Sequence, residues 1–146
     1  MTHVDSPDLS SYQPHPSVLS GAFWDGASRD ELMITRCPAC REWQHPPLEK
    51  CRLCATLLDA EPAPLQGSIY SSTVTHYDAL PLYPTPFIVA VVTIGQPDGP
   101  RVVVRVVDSD AEAAVPGAPV RIEFRRLPGG PHHVPVAVVV NSSRRV

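Results

Sequence analysis

The pattern of apolar and polar positions changes character near Gly67. Beyond it, hydrophobic residues fall into short runs bounded by Gly and Pro, the signature of strands. Residues 67–77, GSIYSSTVTHY, are rich in Thr, Tyr, Val and Ile and long enough for a curved first strand. Residues 78–86 carry three prolines and read as a loop. The near-continuous apolar run FIVAVVTI at 87–94 is what a strand buried on both faces requires. A GQPDGP turn leads to a third strand, RVVVRVV, at 101–107. Residues 119–126 alternate: Val120, Ile122 and Phe124 share one face, with Arg121, Glu123 and Arg125 on the other. A last strand is expected over 134–140. DSDAEAA at 108–114 has an N-cap candidate and small helix formers, which predicts one or two helical turns.

Before Gly67 the signals are weaker. Residues 1–17 are polar, contain Pro7, Pro14 and Pro16, and read as an extended, loosely held arm in which His3 and His15 are solvated. Residues 18–31 predict a short helix anchored by Phe23 and Trp24. A strand over 32–36 and a return strand over 42–45 follow, with Trp43 expected to cover the segment between them. Residues 55–66, stiffened by Pro62 and Pro64, lead out. The fold class is mainly β: a short N-terminal helix, a small hairpin module, and five strands in the element order of an OB-fold barrel. The organisation expected is an arm and helix over 1–31, a ribbon over 32–64 and a barrel over 65–146.

All four cysteines lie in the hairpin module, as Cys37-x-x-Cys40 and Cys51-x-x-Cys54. Two residues between paired cysteines let the backbone turn so that both sulfurs face one point. Two facing pairs supply four thiolates, the donor set of a structural zinc ion. Disulfides here would staple nothing outside the stretch, and the βαβ context of a thioredoxin-type redox pair is missing. Iron in a rubredoxin-like site uses the same sulfurs and stays open; the short separation of the pairs favours zinc. A closed four-thiolate site has no open position for substrate, so the cluster points to structure rather than catalysis. His45 could join only by displacing a cysteine and reads as a neighbour of the site or a surface residue.

With 146 residues, 43% of them hydrophobic, the chain can build one moderate core. Its 18 prolines argue against long helices. The formal net charge of −3 disfavours nucleic acid as a general partner. No stretch is long and apolar enough for a membrane span, and the first ten residues lack the basic head and apolar run of a signal peptide. Cysteines confined to a thiolate site fit a reducing compartment, which predicts a cytoplasmic location.

No catalytic set stands out. There is no Gly-x-Ser-x-Gly and no Gly-rich phosphate loop. His76 and Asp78 can be drawn as an acid–base pair, but strand-end polar residues are usually just solvated. His132 and His133 read as loop polars. The arginines at 101, 105, 121, 125 and 126 are individually ordinary exposed charges, or a subset facing an anion. Leu80, Leu82, Tyr83 and Phe87 place large apolar groups in and beside the proline-stiffened loop. Core packing explains Phe87 best; Leu82 and Tyr83 suit a hydrophobic contact with a partner or an acyl chain.

The order of parts resembles a known family: acyl-CoA-associated OB-fold proteins with an N-terminal rubredoxin-like zinc ribbon. The resemblance runs through FWDG (23–26), the strand ending in Arg36-Cys37, CPAC, HPP (45–47), CRLC, GSIYSSTVTH (67–76), PFIVAVVTI (86–94), PGAPVRIEF (116–124) and VPVA (134–137). The chain departs from it at Arg41 and Ala55, where members often carry Gly, and in the longer turn after Ile94. The resemblance implies a non-catalytic accessory subunit of a thiolase-, aldolase- or hydratase-type enzyme acting on acyl-CoA thioesters in lipid or steroid metabolism. It implies docking through the ribbon and helix, Phe23 and Trp24 included, with the barrel near the acyl-CoA channel. A zinc-ribbon and OB-fold nucleic-acid-binding module and a rubredoxin-like electron carrier are the alternatives. The first would want basic residues interleaved with exposed aromatics, but the chain is net acidic and the barrel strands have few aromatics beyond Tyr70, Tyr77, Phe87 and Phe124.

Overall fold

The computed structural model describes residues 8–78 and 81–140. His3 and Leu80 therefore lie outside the described residues. The chain opens with a 3-10 turn, Ser10–Tyr12, and a short helix α1, Gly21–Ala27. Three strands follow: β1 (Met33–Arg36), β2 (Trp43–Gln44) and β3 (Asp59–Pro62), forming an antiparallel sheet in the order β2-β1-β3. The third of these corrects the expectation of a plain connector over 55–66. Met33 to Arg36 pair with Pro62 back to Asp59, and Pro62 is tolerated because it ends an edge strand.

Strands β4 (Gln66–Thr75), β5 (Phe87–Ile94), β6 (Arg101–Val106), β7 (Pro119–Arg126) and β8 (His133–Val139) close into a barrel ordered β4-β5-β6-β8-β7. All neighbours are antiparallel except β6 and β8, and β4 also pairs with β7 to complete the ring. This is the OB-fold expected from the strand pattern, and closure removes the sticky sheet edges. A bulge in β4 between Ile69 and Ser71 helps that strand coil so that it can pair on both sides. At Gly67, where β4 faces both neighbours, an added Cβ would lie 2.2 Å from the Thr93 carbonyl oxygen. No side chain fits there.

The barrel interior is filled by Ile69, Ala90, Val92, Ile94, Val102, Val104, Val120, Ile122 and Val136, among others. Leu32, Ile34 and Ala63 from the ribbon belong to the same cluster, with Phe23 and Trp43 packed against it. Ribbon and barrel thus share one core. Trp43 lies against that core with the Arg36 guanidinium 4.3 Å over its ring.

Three further expectations change. The 108–114 segment is a turn rather than a helix: the Asp110 carbonyl accepts from the Ala113 and Ala114 amides, and its carboxylate accepts again from Ala113. The capping residue is there, but the chain turns away after one loop, and Pro116 follows. The arm is held rather than loose over its described part. Gln13 Nε2 donates to the Pro128 carbonyl at 3.0 Å, and Gln13 Oε1 accepts from the His132 amide. Finally, β5 is not buried on both faces. Phe87, Val89 and Val91 are only half-buried, because they point out of the barrel.

Candidate metal centre and interaction groove

The ribbon brings all four cysteine sulfurs within 4.8 Å of one another. Each knuckle is built the same way. The Cys37 carbonyl accepts from the Arg41 amide and the Cys37 amide donates to the Glu42 carbonyl; Cys51 repeats this with Ala55 and Thr56. The turn forces a left-handed backbone at Arg41, with φ 64, and at Ala55, with φ 58. Those are the two positions where the family resemblance would place Gly. Cys37 and Cys51 are buried while Cys40 and Cys54 face outward.

The distances suit a metal. Cys37 and Cys54 sulfurs are 3.5 Å apart, and those of Cys40 and Cys51 are 3.7 Å apart. Four sulfurs about 2.3 Å from a central zinc in a tetrahedron would be separated by about 3.8 Å. Amide donors already point at the sulfurs: Cys40 N to Cys37 Sγ and Leu53 N to Cys51 Sγ, both at 3.4 Å. Buried Gln44 adds a donor, its Nε2 lying 3.0 Å from Cys51 Sγ, while its Oε1 accepts from the Arg52 amide at 3.0 Å.

These contacts set the thiols apart. Burial opposes the Cys51 thiolate, yet the Leu53 and Cys54 amides, Gln44 and Cys40 outweigh it and bring its pKa down to about 6. The Cys40 amide, working against burial, likewise lowers Cys37. At Cys40 the Glu42 amide favours the thiolate, but Cys37, burial, Cys51 and Cys54 together push it up to about 12. A cluster whose buried thiols, Cys37 and Cys51, are biased toward the thiolate by amide donors is suited to a dication. His45 is not among these groups. It stacks on Phe23 at 5.6 Å, its Nδ1 has no partner among the described residues, and burial pushes its imidazole below the ordinary histidine range.

The second feature is an apolar groove of about 600 Å³ between α1, the His45–Pro47 turn and the outer face of the barrel. Phe23, Trp24 and Tyr83 line it, and Leu82 does not. Phe23 and Trp24 meet edge-on at 5.0 Å, and Tyr83 meets Phe87 edge-on at 5.6 Å. Val89 and Val103 form its floor and Arg101 and Arg105 its flank. The Val89 part of this floor is hidden in the sequence, because the apolar run at 87–94 predicts a strand buried on both faces. The other candidates do not assemble. Asp78 accepts from Thr85, His132 contacts Gln13, and His76 is exposed beyond the end of β4. No helix among the described residues is long and apolar enough to cross a membrane.

Comparison with known proteins matches both modules. Residues 24–57 match the rubredoxin-like zinc ribbon domain of ChsH2, and residues 60–125 match the ChsH2 C-terminal OB-fold domain. The chain is 31% identical over 115 residues to a probable enoyl-CoA hydratase alpha subunit of Thermomonospora curvata; the match covers 77% of this chain and 35% of that protein. The chain thus spans about a third of that relative's length. Among solved structures, a chain of the Ltp2-ChsH2(DUF35) aldolase superposes with a TM-score of 0.78 at 27% identity, covering 87% of this chain and 98% of that one. A DUF35-family protein of unknown function from Sulfolobus solfataricus shares the fold alone, with a TM-score of 0.57 at 12% identity over 91% of this chain and 93% of that one. With the two domains present in the same order and joined in the same fold, this chain belongs to the ChsH2 family of zinc-ribbon and OB-fold proteins.

Proposed function

We propose that the chain is an accessory subunit, without catalytic groups of its own, of an enzyme complex acting on acyl-CoA thioesters. The observation that carries this is the likeness, over nearly the whole of that chain, to one component of an aldolase whose name joins two proteins. The relative named as a hydratase alpha subunit supports the same class of chemistry. The partner is accordingly a thiolase-like aldolase or a hydratase-type enzyme. In this reading Cys37, Cys40, Cys51 and Cys54 hold zinc, which supplies no reaction step because four thiolates leave it no open position. The metal fixes the two knuckles, the knuckles fix the ribbon sheet, and the sheet with α1 presents the docking surface. The groove beside Phe23, Trp24 and Tyr83 then lies where an acyl chain or the partner itself can cover it; Leu82 sits outside this groove and would add contact only from the loop.

Co-expression with each acyl-CoA enzyme encoded beside it, followed by size-exclusion chromatography and thioester turnover, tests the reading. One stable complex is expected, colourless and loaded with stoichiometric zinc, whose turnover is lost when this chain is left out. A chain that elutes alone and leaves every turnover unchanged would overturn it. A red, iron-loaded protein would instead favour electron transfer.

A further inference from the structure

Strand β6 carries two arginines with no acidic partner among the described residues. Among the described residues, Arg29, Arg36, Arg41, Arg121 and Arg125 all form ion pairs, whereas Arg52, Arg101, Arg105 and Arg126 form none, and of these four only Arg101 and Arg105 line the groove. Each instead lies over a tyrosine: Arg101 is 3.8 Å from the Tyr70 ring centroid and Arg105 is 4.0 Å from that of Tyr83. The Arg105 Nε is buried and has no hydrogen-bond partner among the described residues. A buried guanidinium N–H without an acceptor is uncommon, because charged groups leave water only when something replaces it. Being four apart on a strand, the two arginines share a face, roughly 13 Å apart. Between them stands Val103, an apolar side chain 68% exposed on a strand whose other valines, Val102, Val104 and Val106, are buried. Its cross-strand neighbour Val91 is half-buried on the same outer face. On a protein of net charge −3, two free cations flank one apolar groove.

We propose that this groove seats an apolar segment of the partner subunit whose flanking carboxylates pair with Arg101 and Arg105. The inference rests on the accessory-subunit reading above. The tyrosines hold both guanidiniums in place before binding, so little side-chain freedom remains to be lost. The segment's apolar side chains cover Val103 against Phe23 and Tyr83, and that coverage excludes water from the two ion pairs. Carboxylates four residues apart on an extended segment match the roughly 13 Å spacing. Single-stranded nucleic acid fits less well. Its bases need open aromatic faces, and one face of Tyr70 and of Tyr83 is already covered by arginine.

The test is the affinity of the complex measured by titration calorimetry, with the full chain and its co-purified partner enzyme. R101E/R105E should weaken binding roughly 30-fold or more, the scale for desolvated interfacial charge pairs. R121E, on β7, changes net charge by as much as R101Q/R105Q does, controls for that change, and should leave binding nearly unchanged. R101Q/R105Q removes charge without reversal, guards against a folding defect in the double reversal, and should weaken binding about tenfold. Equal affinities for the groove variants and R121E, with the complex intact, overturn the proposal and leave the accessory role standing. If the wild-type chain forms no complex with any acyl-CoA enzyme, the accessory reading itself fails. Steeply salt-dependent binding of an oligothymidine by wild type, abolished in R101E/R105E, would assign the groove to nucleic acid and also overturn the proposal.

Discussion

Gln44→Leu isolates how the ribbon tunes its sulfurs. Gln44 is 1% exposed, donates to Cys51 Sγ at 3.0 Å and accepts from the Arg52 amide at 3.0 Å. Leucine fills nearly the same volume with no polar atoms, so the packing survives and the hydrogen bonds do not. A hydrogen bond to a charged acceptor contributes about 1.5–3 kcal/mol. Arg52 is exposed, and its amide can turn to water when Gln44 is lost, so the donor to the sulfur dominates. A net loss of about 2 kcal/mol corresponds to roughly 30-fold in zinc affinity, inside the range for residues that support metal ligands. Competition with a chromophoric chelator reads the affinity directly. Cobalt(II) substitution gives a second readout: a thiolate stripped of its hydrogen bond donates charge more readily, so the sulfur-to-cobalt band should move to lower energy. Gln44→Glu keeps an acceptor for the Arg52 amide but turns a carboxylate toward the sulfur, and should bind zinc more weakly than Gln44→Leu. A folded Gln44→Leu protein with wild-type zinc affinity and an unmoved cobalt band would refute the reasoning.

Three other predictions follow from the geometry. Ala55→Gly relieves a left-handed alanine at φ 58; the strain of about 1–2 kcal/mol exceeds glycine's extra unfolded freedom of about 0.5–1 kcal/mol, so the urea midpoint should rise slightly. Glu61 is held below the ordinary carboxylate range by hydrogen bonds from Arg41 at 2.9 and 3.1 Å. A depressed folded pKa gives stability above the unfolded value that is lost as pH falls, so Glu61→Gln should be slightly less stable at neutral pH and indistinguishable from wild type in acid; a gap of constant size across pH would refute this. At Gly129, with φ 93, an added Cβ would lie 2.5 Å from Leu9, so Gly129→Ala should release the arm and open residues 8–13 to limited proteolysis while the barrel still melts cooperatively.

What could be read from the sequence depended on how local the cause was. The double C-x-x-C placed four sulfurs together because each knuckle closes within a few residues. The strands of the barrel were legible because turns punctuate them and Val120 and Ile122 alternate with charged neighbours. β3 was hidden because DAEP has no strand propensity of its own; pairing with Met33–Arg36 makes it a strand. The arm looked loose because its partner, the Leu127–His132 loop, lies more than 110 residues away and makes contact through the single polar side chain of Gln13. The clue was the Gly129-Gly130 pair, whose missing side chains leave room for Leu9 and Gln13.

The groove shows why an apolar run can mislead. In a parallel sheet covered by helices, a continuous hydrophobic strand is interior on both faces. A closed five-stranded barrel has only one interior, already filled here by Ala90, Val92 and Ile94 from β5 and Val102, Val104 and Val106 from β6. Every second residue must therefore face outward, and Val89, Val91 and Val103 do. Helix α1 and the His45–Pro47 turn shield part of that outer face but leave Val103 68% exposed. The same strand places Arg101 and Arg105, which have no ion pair among the described residues, on either side of it. Continuous apolar strands in a small barrel are thus evidence for something outside the barrel. In this chain the free cations indicate that what comes there carries negative charge.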